Sequence, residues 1–408
     1  MGFAKLTPIQ NMAIPQILNG RDITAQAQTG SGKTIAFAIP IVENVFIDDK
    51  SPQAVILCPT RELCLQVAEE VGKVGANTKK LKVLAVYGGQ PIGKQTRVLK
   101  KGVHIIVGTP GRVIDHVEKG NLELIGVERV VLDEADEMLD MGFRDEIERI
   151  LNETKYRKQT LMFSATIPKG IRKIAENYQN NPKFIKVSDK KQNVPKITQY
   201  AFKTNHKHKF DDLIRLIEAY DIGSALIFSN TKKGVDFVFK NLKKREYSAE
   251  AIHGDMSQKV RDKVMNKFRN GNVSFLVATD VAARGLDISN LDFIINYDVA
   301  QNYDSHIHRI GRTARAGNAG FAFTLVSKED NINFNNIKNS YKAKIIEKKI
   351  PTDAEIENIK NNRVLNEIKN SIKTDNLEEY LKIIKKNSSA DISSEEIAAA
   401  LLKKIREN

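Results

Sequence analysis

Over residues 20–190, short apolar runs alternate with longer mixed stretches. Ala54-Val55-Ile56-Leu57, Val83-Leu84-Ala85-Val86, Val103-His104-Ile105-Ile106-Val107, residues 129–132 and Thr160-Leu161-Met162-Phe163 read as strands. The segments between them are long enough for crossover helices. Strands that are apolar at consecutive positions predict a parallel sheet covered on both faces. Right-handed crossovers then bring the strand C-termini, and with them the functional loops, to one edge. The text turns polar and basic near residues 188–196, with Pro195 beyond, and reads as a linker at 191–195. The alternation resumes with Ala225-Leu226-Ile227-Phe228, Phe275-Leu276-Val277-Ala278, Phe293-Ile294-Ile295 and residues 321–326. After about Glu329 the composition shifts toward Asn, Lys and Ile. Helical spacing of Leu377, Tyr380, Leu381 and Ile384, and of Ile397, Leu401 and Ile405, predicts pieces near 353–371, 376–387 and 392–406, the last capped by Ser393 or Ser394. The expected organisation is α/β: residues 1–190 and 196–345 as two domains, then a small helical appendage over 346–408.

At 408 residues the chain has length for two or three domains. Its 64 Lys and Arg against 50 acidic residues give a net charge of +14, which favours a polyanionic partner, nucleic acid ahead of a membrane surface. Solubility alone is the competing explanation. The two cysteines, Cys58 and Cys64, cannot form a disulfide scaffold in so long a chain. They read as packing residues in a reducing cytosol, so a cytoplasmic location is expected. No apolar stretch approaches the ~18 residues that span a membrane, and Met1-Gly2-Phe3-Ala4-Lys5-Leu6 is neither a secretory signal nor a myristoylation site.

Two segments carry chemistry. Ala27-Gln28-Thr29-Gly30-Ser31-Gly32-Lys33-Thr34 follows a short strand, 22–25, and precedes an apolar helix, the context of a phosphate-binding loop. Gly30 and Gly32 let backbone amides face anionic oxygens, Lys33 supplies a cation to terminal phosphates, and Thr34 offers a hydroxyl to magnesium. About a hundred positions later an apolar strand ends in Asp133-Glu134-Ala135-Asp136. Carboxylates clustered there suit a cation or a reactive water. Asp133 is the expected metal-side group, acting directly or through water, and Glu134 the group that orients or deprotonates the water. Glu137, Asp140 and Asp145 follow closely, so a solvated acidic loop is the alternative; the strand-end position and the phosphate loop argue against it.

Asp133-Glu134-Ala135-Asp136 resembles the signature of the DEAD-box RNA helicases, and further blocks stand in that family's order. They are Gly2-Phe3 with Thr7-Pro8-Ile9-Gln10, Pro59-Thr60-Arg61-Glu62-Leu63, Gly88-Gly89, Thr109-Pro110-Gly111-Arg112 and Ser164-Ala165-Thr166. In the second half come Phe228-Ser229-Asn230-Thr231, residues 253–258 with Arg261, residues 278–287, and His308-Arg309-Ile310-Gly311-Arg312-Thr313-Ala314-Arg315. The resemblance covers residues 1–330 and implies two tandem RecA-like domains with parallel sheets. It implies ATP and Mg2+ as cofactors and RNA-stimulated ATP hydrolysis that separates short RNA duplexes locally. Phe3, Thr7 and Gln10 would bind adenine; Gln28, Thr29, Gly30, Ser31, Gly32, Lys33 and Thr34 the phosphates; Asp287 the ribose. Lys33, Asp133, Glu134 and the two fingers Arg312 and Arg315 would be catalytic. Pro59, Arg61, Gly89, Thr109, Arg112, Gly254 and Thr279 would touch the RNA sugar-phosphate backbone, giving salt-sensitive binding with little sequence preference. Ser164 and Thr166 would couple the two sites.

Departures from the family pattern carry expectations too. Relatives carry an aromatic and further residues ahead of Gly2-Phe3, so a fragment or misassigned start is expected, weakening adenine binding or the first domain. Leu6 replaces a common Pro, and Ala314 a frequent Gly between the fingers. His206, His208, His306 and His308 lack the partners of a zinc site. Lys190-Lys191 and Lys243-Lys244-Arg245 read as solvated charge ahead of RNA patches. The 346–408 segment resembles the dimerisation module of some bacterial members, so a homodimer stands beside internal packing. Ribosomal or RNA-degradation complexes are the implied protein partners. The rival functions are an ATP-gated RNA clamp with little turnover and a DNA-directed translocase.

Overall fold

The structure is a computed structural model. It describes residues 5–27, 30–187, 196–283, 291–314, 319–340, 344–374, 376–387 and 393–407. The expected linker 191–195 lies outside these residues. Contacts divide the chain into two compact units, residues 1–201 with 224–346, and residues 202–223 with 347–408. The residues of the candidate site all belong to the first.

The first sheet comprises β1 (Ile23–Gln26), β2 (Ala54–Leu57), β3 (Val83–Val86), β4 (Ile105–Gly108), β5 (Arg129–Asp133), β6 (Gln159–Ser164) and β7 (Lys183–Lys186) in the order β3-β4-β2-β5-β6-β1-β7. All its neighbouring pairs are parallel. The second comprises β8 (Lys196–Lys203), β9 (Ala225–Phe228), β10 (Ala249–Ile252), β11 (Phe275–Ala278), β12 (Phe293–Asn296), β13 (Ala319–Val326) and β14 (Ile345–Lys348) in the order β10-β11-β9-β12-β13-β8-β14, parallel from β10 to β13.

Both faces of the first sheet are covered. Ile56, Val131, Leu161 and Phe163 join one core with Ile9, Phe37, Ile41, Cys64 and Val67; these come from α1 (Pro8–Leu18), α2 (Lys33–Glu43) and α3 (Arg61–Val74). Val55, Leu57, Val130, Leu132 and Met162, one residue out of phase, face a second core with Val113, Ile147, Ile150 and Ile171. Side chains of a strand point alternately to opposite faces, so burial on both removes the polar alternation. Cys58 and Cys64 sit in the first core; burial pushes the Cys64 thiol up to about 12 and keeps both unreactive.

In the second unit, Lys209–Ala219 lies beside Asp353–Thr374. Arg215 grips Asp353 with two hydrogen bonds (3.0 and 3.2 Å), and Glu218 meets Lys360 at 2.9 Å. The helices Glu378–Asn387 and Ser394–Glu407 follow. Ser393 caps the last: Glu396 N–H donates to Ser393 Oγ (3.1 Å), and Ser393 N–H to the Glu396 carboxylate (2.8 Å).

One buried histidine makes stability pH-dependent. His306 is 3% exposed and its ring Nε2 lies 2.9 Å from Gln199 Oε1. Burial, reinforced by the Arg309 charge, pushes its pKa down from 6.5 to about 4. The folded protein therefore holds this ring neutral where the unfolded chain protonates it. The associated stability is full above pH 6.5 and is lost as pH falls from 6.5 to about 4, at most about 3 kcal/mol. Asp133, whose folded pKa is raised to about 7, contributes with the opposite sign over the same range. The His306 contribution is therefore read as a difference: the melting-temperature advantage of the parent over His306→Gln should shrink as pH falls from 7.5 to 4.5.

Candidate ATP and RNA site

The sheet order sorts the loops. Consecutive strands β5, β6 and β1 end in Asp133, Ser164 and the phosphate loop, whereas β3, β4 and β2 lead to Gly89, Thr109 and Pro59. In the second sheet, β10 and β11 lead to Gly254 and Thr279. All lie at the carboxyl edge, where open α/β sheets place ligands.

Gly30 (φ +81°) and Gly32 (φ +89°) take left-handed backbone at the entrance to α2. A Cβ on Gly32 would stand 2.5 Å from Gln10 Nε2, so that position requires glycine. Lys33 opens α2, is 6% exposed, and donates to Ala27 O at 3.1 Å. Thr34 is half-buried beside it. Gln10 packs onto this loop: Thr7 N–H donates to its Oε1 (2.9 Å) while its Nε2 donates to Gly32 O (3.1 Å). Its amide thereby ties α1 to the phosphate loop. Reading adenine requires its second N–H and second lone pair. Phe3, Gln28, Thr29, Asp287 and Arg315 lie outside the described residues; Ser31 borders the loop, half-buried.

Asp133 ends β5 at 3% exposure and accepts the Glu134 N–H at 3.0 Å. Burial raises its pKa to about 7; Lys33 opposes that rise, and the Glu134 charge adds to it. Glu134 takes a left-handed backbone (φ +50°) at the start of α6 (Ala135–Asp140). A non-glycine residue there costs of order 1 kcal/mol, and such costs cluster at functional sites. Asp136 binds the β6 end: its N–H donates to Ser164 Oγ (3.1 Å), and its Oδ2 accepts from Thr166 N (2.7 Å) and Thr166 Oγ1 (2.9 Å).

The second sheet contributes to the same pocket. Lys33, Glu134, Asp136, Glu137 and Ala165 line it together with His308 and Arg312, which stand at the end of and just beyond the helix Tyr303–Ile310. His308 Nδ1 contacts the Glu137 carboxylate. Burial alone would lower the His308 pKa, but Glu137, with Asp136 and Glu134, raises it above 6.5. Arg309 anchors the segment, 1% exposed. It grips Asp280 through Nε and Nη2 (2.6 and 2.7 Å) and donates to Asp298 O (2.6 Å) and Asn230 Oδ1 (2.7 Å). Ala314, the position of the expected glycine, has φ +56°, so the substitution leaves an alanine in left-handed backbone between the fingers. His306 and His308 are thus engaged with Gln199 and Glu137, and among the described residues no cluster of three His, Cys, Asp or Glu suits a metal.

On the other half of the edge, Arg61 opens α3 with its guanidinium 4.6 Å over the Tyr87 ring. Gly89 has φ +82°. Thr109 N–H donates to Val86 O (3.0 Å) as it caps α5 (Pro110–Glu118), and Arg112 Nη1 donates to Gln90 O at 3.1 Å. Pro59 is buried at the start of this edge, Gly254 stands beside Lys232, and Thr279 caps the turn Asp280–Ala283. Glu62 bridges the sheets: Gln258 Nε2 donates to it at 3.0 Å, and Arg261 Nη2 lies 3.5 Å away. Arg61 approaches Asp262 at 3.5 Å.

Residues 7–174 match the model of the DEAD/DEAH box helicases, and residues 208–317 that of the helicase conserved C-terminal domain. The DEAD-box ATP-dependent RNA helicase CshA of Geobacillus kaustophilus is 48% identical over 380 residues, 93% of this chain and 81% of the relative. The chain belongs to the DEAD-box helicases. CshA of Bacillus subtilis is 44% identical over 93% of this chain and 77% of its own length. Among solved structures, S. cerevisiae Dbp5 bound to RNA and ADP BeF3 superposes with a TM-score of 0.75 at 31% identity, covering 88% of this chain and 94% of that one. Residues 351–408 match the model of the RNA helicase DeaD dimerization domain. Within this DEAD-box chain, sequence reasoning did not single out Glu62, Glu137, His308 or Arg309 for the contacts they make. Each lies inside a family block or beside one; only folding supplies its partner.

Proposed function

We propose that this DEAD-box chain hydrolyses ATP with magnesium to separate short RNA duplexes locally and remodel RNA. The observation that carries the reading is the shared pocket: Lys33 and Glu134 from one sheet, Arg312 from the other. Such an arrangement makes hydrolysis conditional on the two RecA-like domains, 1–190 and 196–345, coming together. RNA bound along Pro59, Arg61, Gly89, Thr109, Arg112, Gly254 and Thr279 favours that closed state, because it gains contacts from both domains at once. In this scheme Lys33 and the loop amides hold phosphates, Glu134 orients water, and Arg312, with Arg315, meets the charge on the transferred group. Asp136 links ATP to RNA through Ser164 and Thr166.

Magnesium fits the donors present. Asp133 and Thr34 offer only oxygen, which suits a hard cation, and a buried carboxyl with a raised pKa regains its charge beside one. Bound there, the ion would neutralise phosphate charge. Two buried, inert thiols support a reducing cytosol. Among the described residues no helix is long and apolar enough to cross a membrane. The dimerisation-model match supports a homodimer through 346–408, where Tyr380, Leu381, Ile383 and Leu401 remain at least half exposed.

ATP turnover measured with and without structured RNA, and with DNA of the same sequence, tests the reading. Stimulation by RNA at least tenfold above DNA is expected, weakening with salt. Equal stimulation by DNA would establish the translocase instead, and turnover indifferent to RNA would leave the clamp.

A further inference from the structure

The helix Ile92–Leu99, α4, follows the Gly88-Gly89 turn, and its one fully buried residue is polar: Gln95, 3% exposed. A buried amide is tolerated only when hydrogen-bonded, so an anchor of this kind exchanges apolar burial for direction. Both arms of Gln95 are engaged. Its Nε2 donates to Tyr87 O at 2.9 Å, and its Oε1 lies 2.9 Å from His116 Nε2. Tyr87 O can only accept, so the amide nitrogen must face it and the amide oxygen must face His116. His116, fully buried on α5, therefore carries its proton on Nε2.

The three groups lie on or beside the segments that carry Arg61, Gly88-Gly89 and Arg112. Tyr87 stands directly before Gly88-Gly89 and carries the Arg61 guanidinium on its ring. His116 lies one helical turn from Arg112, which itself donates to Gln90 O. Gly89 is close enough to Arg61 that a Cβ there would meet Nη1 at 3.6 Å. We propose that Gln95, clamped between Tyr87 and His116, is a positioning residue that holds Arg61, the Gly88–Gln90 turn and Arg112 in the register that one RNA backbone requires. This rests on the RNA reading of those loops. Gln95 is remote in sequence from the nucleotide blocks and touches none of them, so its loss should fall on RNA and spare ATP.

The test compares the full chain with Gln95→Leu, His116→Leu and His116→Gln. The last keeps an N–H donor at the reach of His116 Nε2. ATP turnover is titrated with single-stranded RNA at saturating ATP and with ATP at saturating RNA, and melting temperature is recorded. Both leucine variants should raise the half-saturating RNA concentration about tenfold, with half-saturating ATP and RNA-free turnover within twofold of the parent. His116→Gln should stay within about threefold of the parent for RNA. Leucine variants with the parental RNA half-saturation overturn the inference, as does a loss of melting temperature that shifts ATP and RNA constants together. His116→Gln as impaired as His116→Leu also overturns it. Absence of RNA stimulation in the unsubstituted chain overturns the functional reading itself, a different result from unshifted variants of a stimulated parent.

Discussion

Arg312→Ala is expected to reduce RNA-stimulated ATP turnover by about 10³–10⁵ while leaving ATP binding within a few-fold of the parent. A guanidinium from the second sheet that lines the pocket of Lys33 and Glu134 meets the phosphates only when both sheets contribute, so its effect belongs to the transition state. The segment carrying it is rigid by construction, because Arg309 is sunk among Asp280, Asn230 and the Asp298 carbonyl. Lysine should not replace it: a compact ammonium lacks the planar fork that pairs with two phosphate oxygens. Arg312→Lys should therefore recover less than a tenth of the lost rate. Equilibrium binding of a fluorescent ATP analogue beside steady-state turnover separates the two effects. A variant that turns over like the parent would remove Arg312 from the mechanism.

Glu134→Gln is expected to lower turnover by about 10²–10⁴ and to keep ATP and RNA binding, so that RNA is held longer in the presence of ATP. The amide preserves size and one acceptor but cannot take a proton or align water as strongly. The surrounding frame fixes where the Glu134 carboxylate starts. Its backbone is left-handed at the entrance to α6, between the buried Asp133 and the Asp136 that grips Thr166. The substitution leaves this frame intact, since no Glu134 side-chain bond supports it among the described contacts. RNA dissociation and phosphate release, measured on one preparation, check both halves. Parental phosphate release would refute the assigned base, and lost RNA binding would place Glu134 in the RNA surface.

The strands with continuous apolar runs were legible: β2, β9 and β11 are buried at every position, and the edge strand β3, only partly buried, keeps the apolar run Val83-Leu84-Ala85-Val86. The boundaries Ala54–Leu57, Val83–Val86, Ala225–Phe228 and Phe275–Ala278 agree to the residue with the apolar runs. Four strands carry no such run. Lys183–Lys186 and Ile345–Lys348 are edge strands, each with a single buried residue, Ile185 and Ile345. Lys196–Lys203, next to an edge, sets polar Thr198-Gln199 beside apolar Tyr200-Ala201-Phe202 without a regular period, and the edge strand Ala249–Ile252 is interrupted by Glu250. Partial exposure admits polar residues, and a pattern so short or irregular does not distinguish a strand from a loop. The three C-terminal helices were visible in their spacing and begin at 353, 378 and 394.

The site divides in the same way. Groups whose proposed chemistry needs neighbours in sequence stand together in the chain: the Gly30–Thr34 loop, whose two glycines take left-handed backbone, and the Asp133–Asp136 strand end. Groups whose partner lies far along the chain do not. Glu62 meets Gln258 across 196 positions, His308 meets Glu137 across 171, and Gln95 meets His116 across 21. Sequence alone determined which residues bring phosphate-binding, acid–base and cationic chemistry, because those properties belong to side chains and local backbone. The tertiary structure decided their grouping. Strand order places β5, β6 and β1 together at one part of the carboxyl edge and β3, β4 and β2 at the other, although β2, β3 and β4 separate β1 from β5 along the chain. Hydrogen bonding and burial choose strand neighbours by fit across the sheet, and adjacency along the chain records only part of that choice: β5 pairs with its successor β6, but β1 pairs with β6 and β2 with β5.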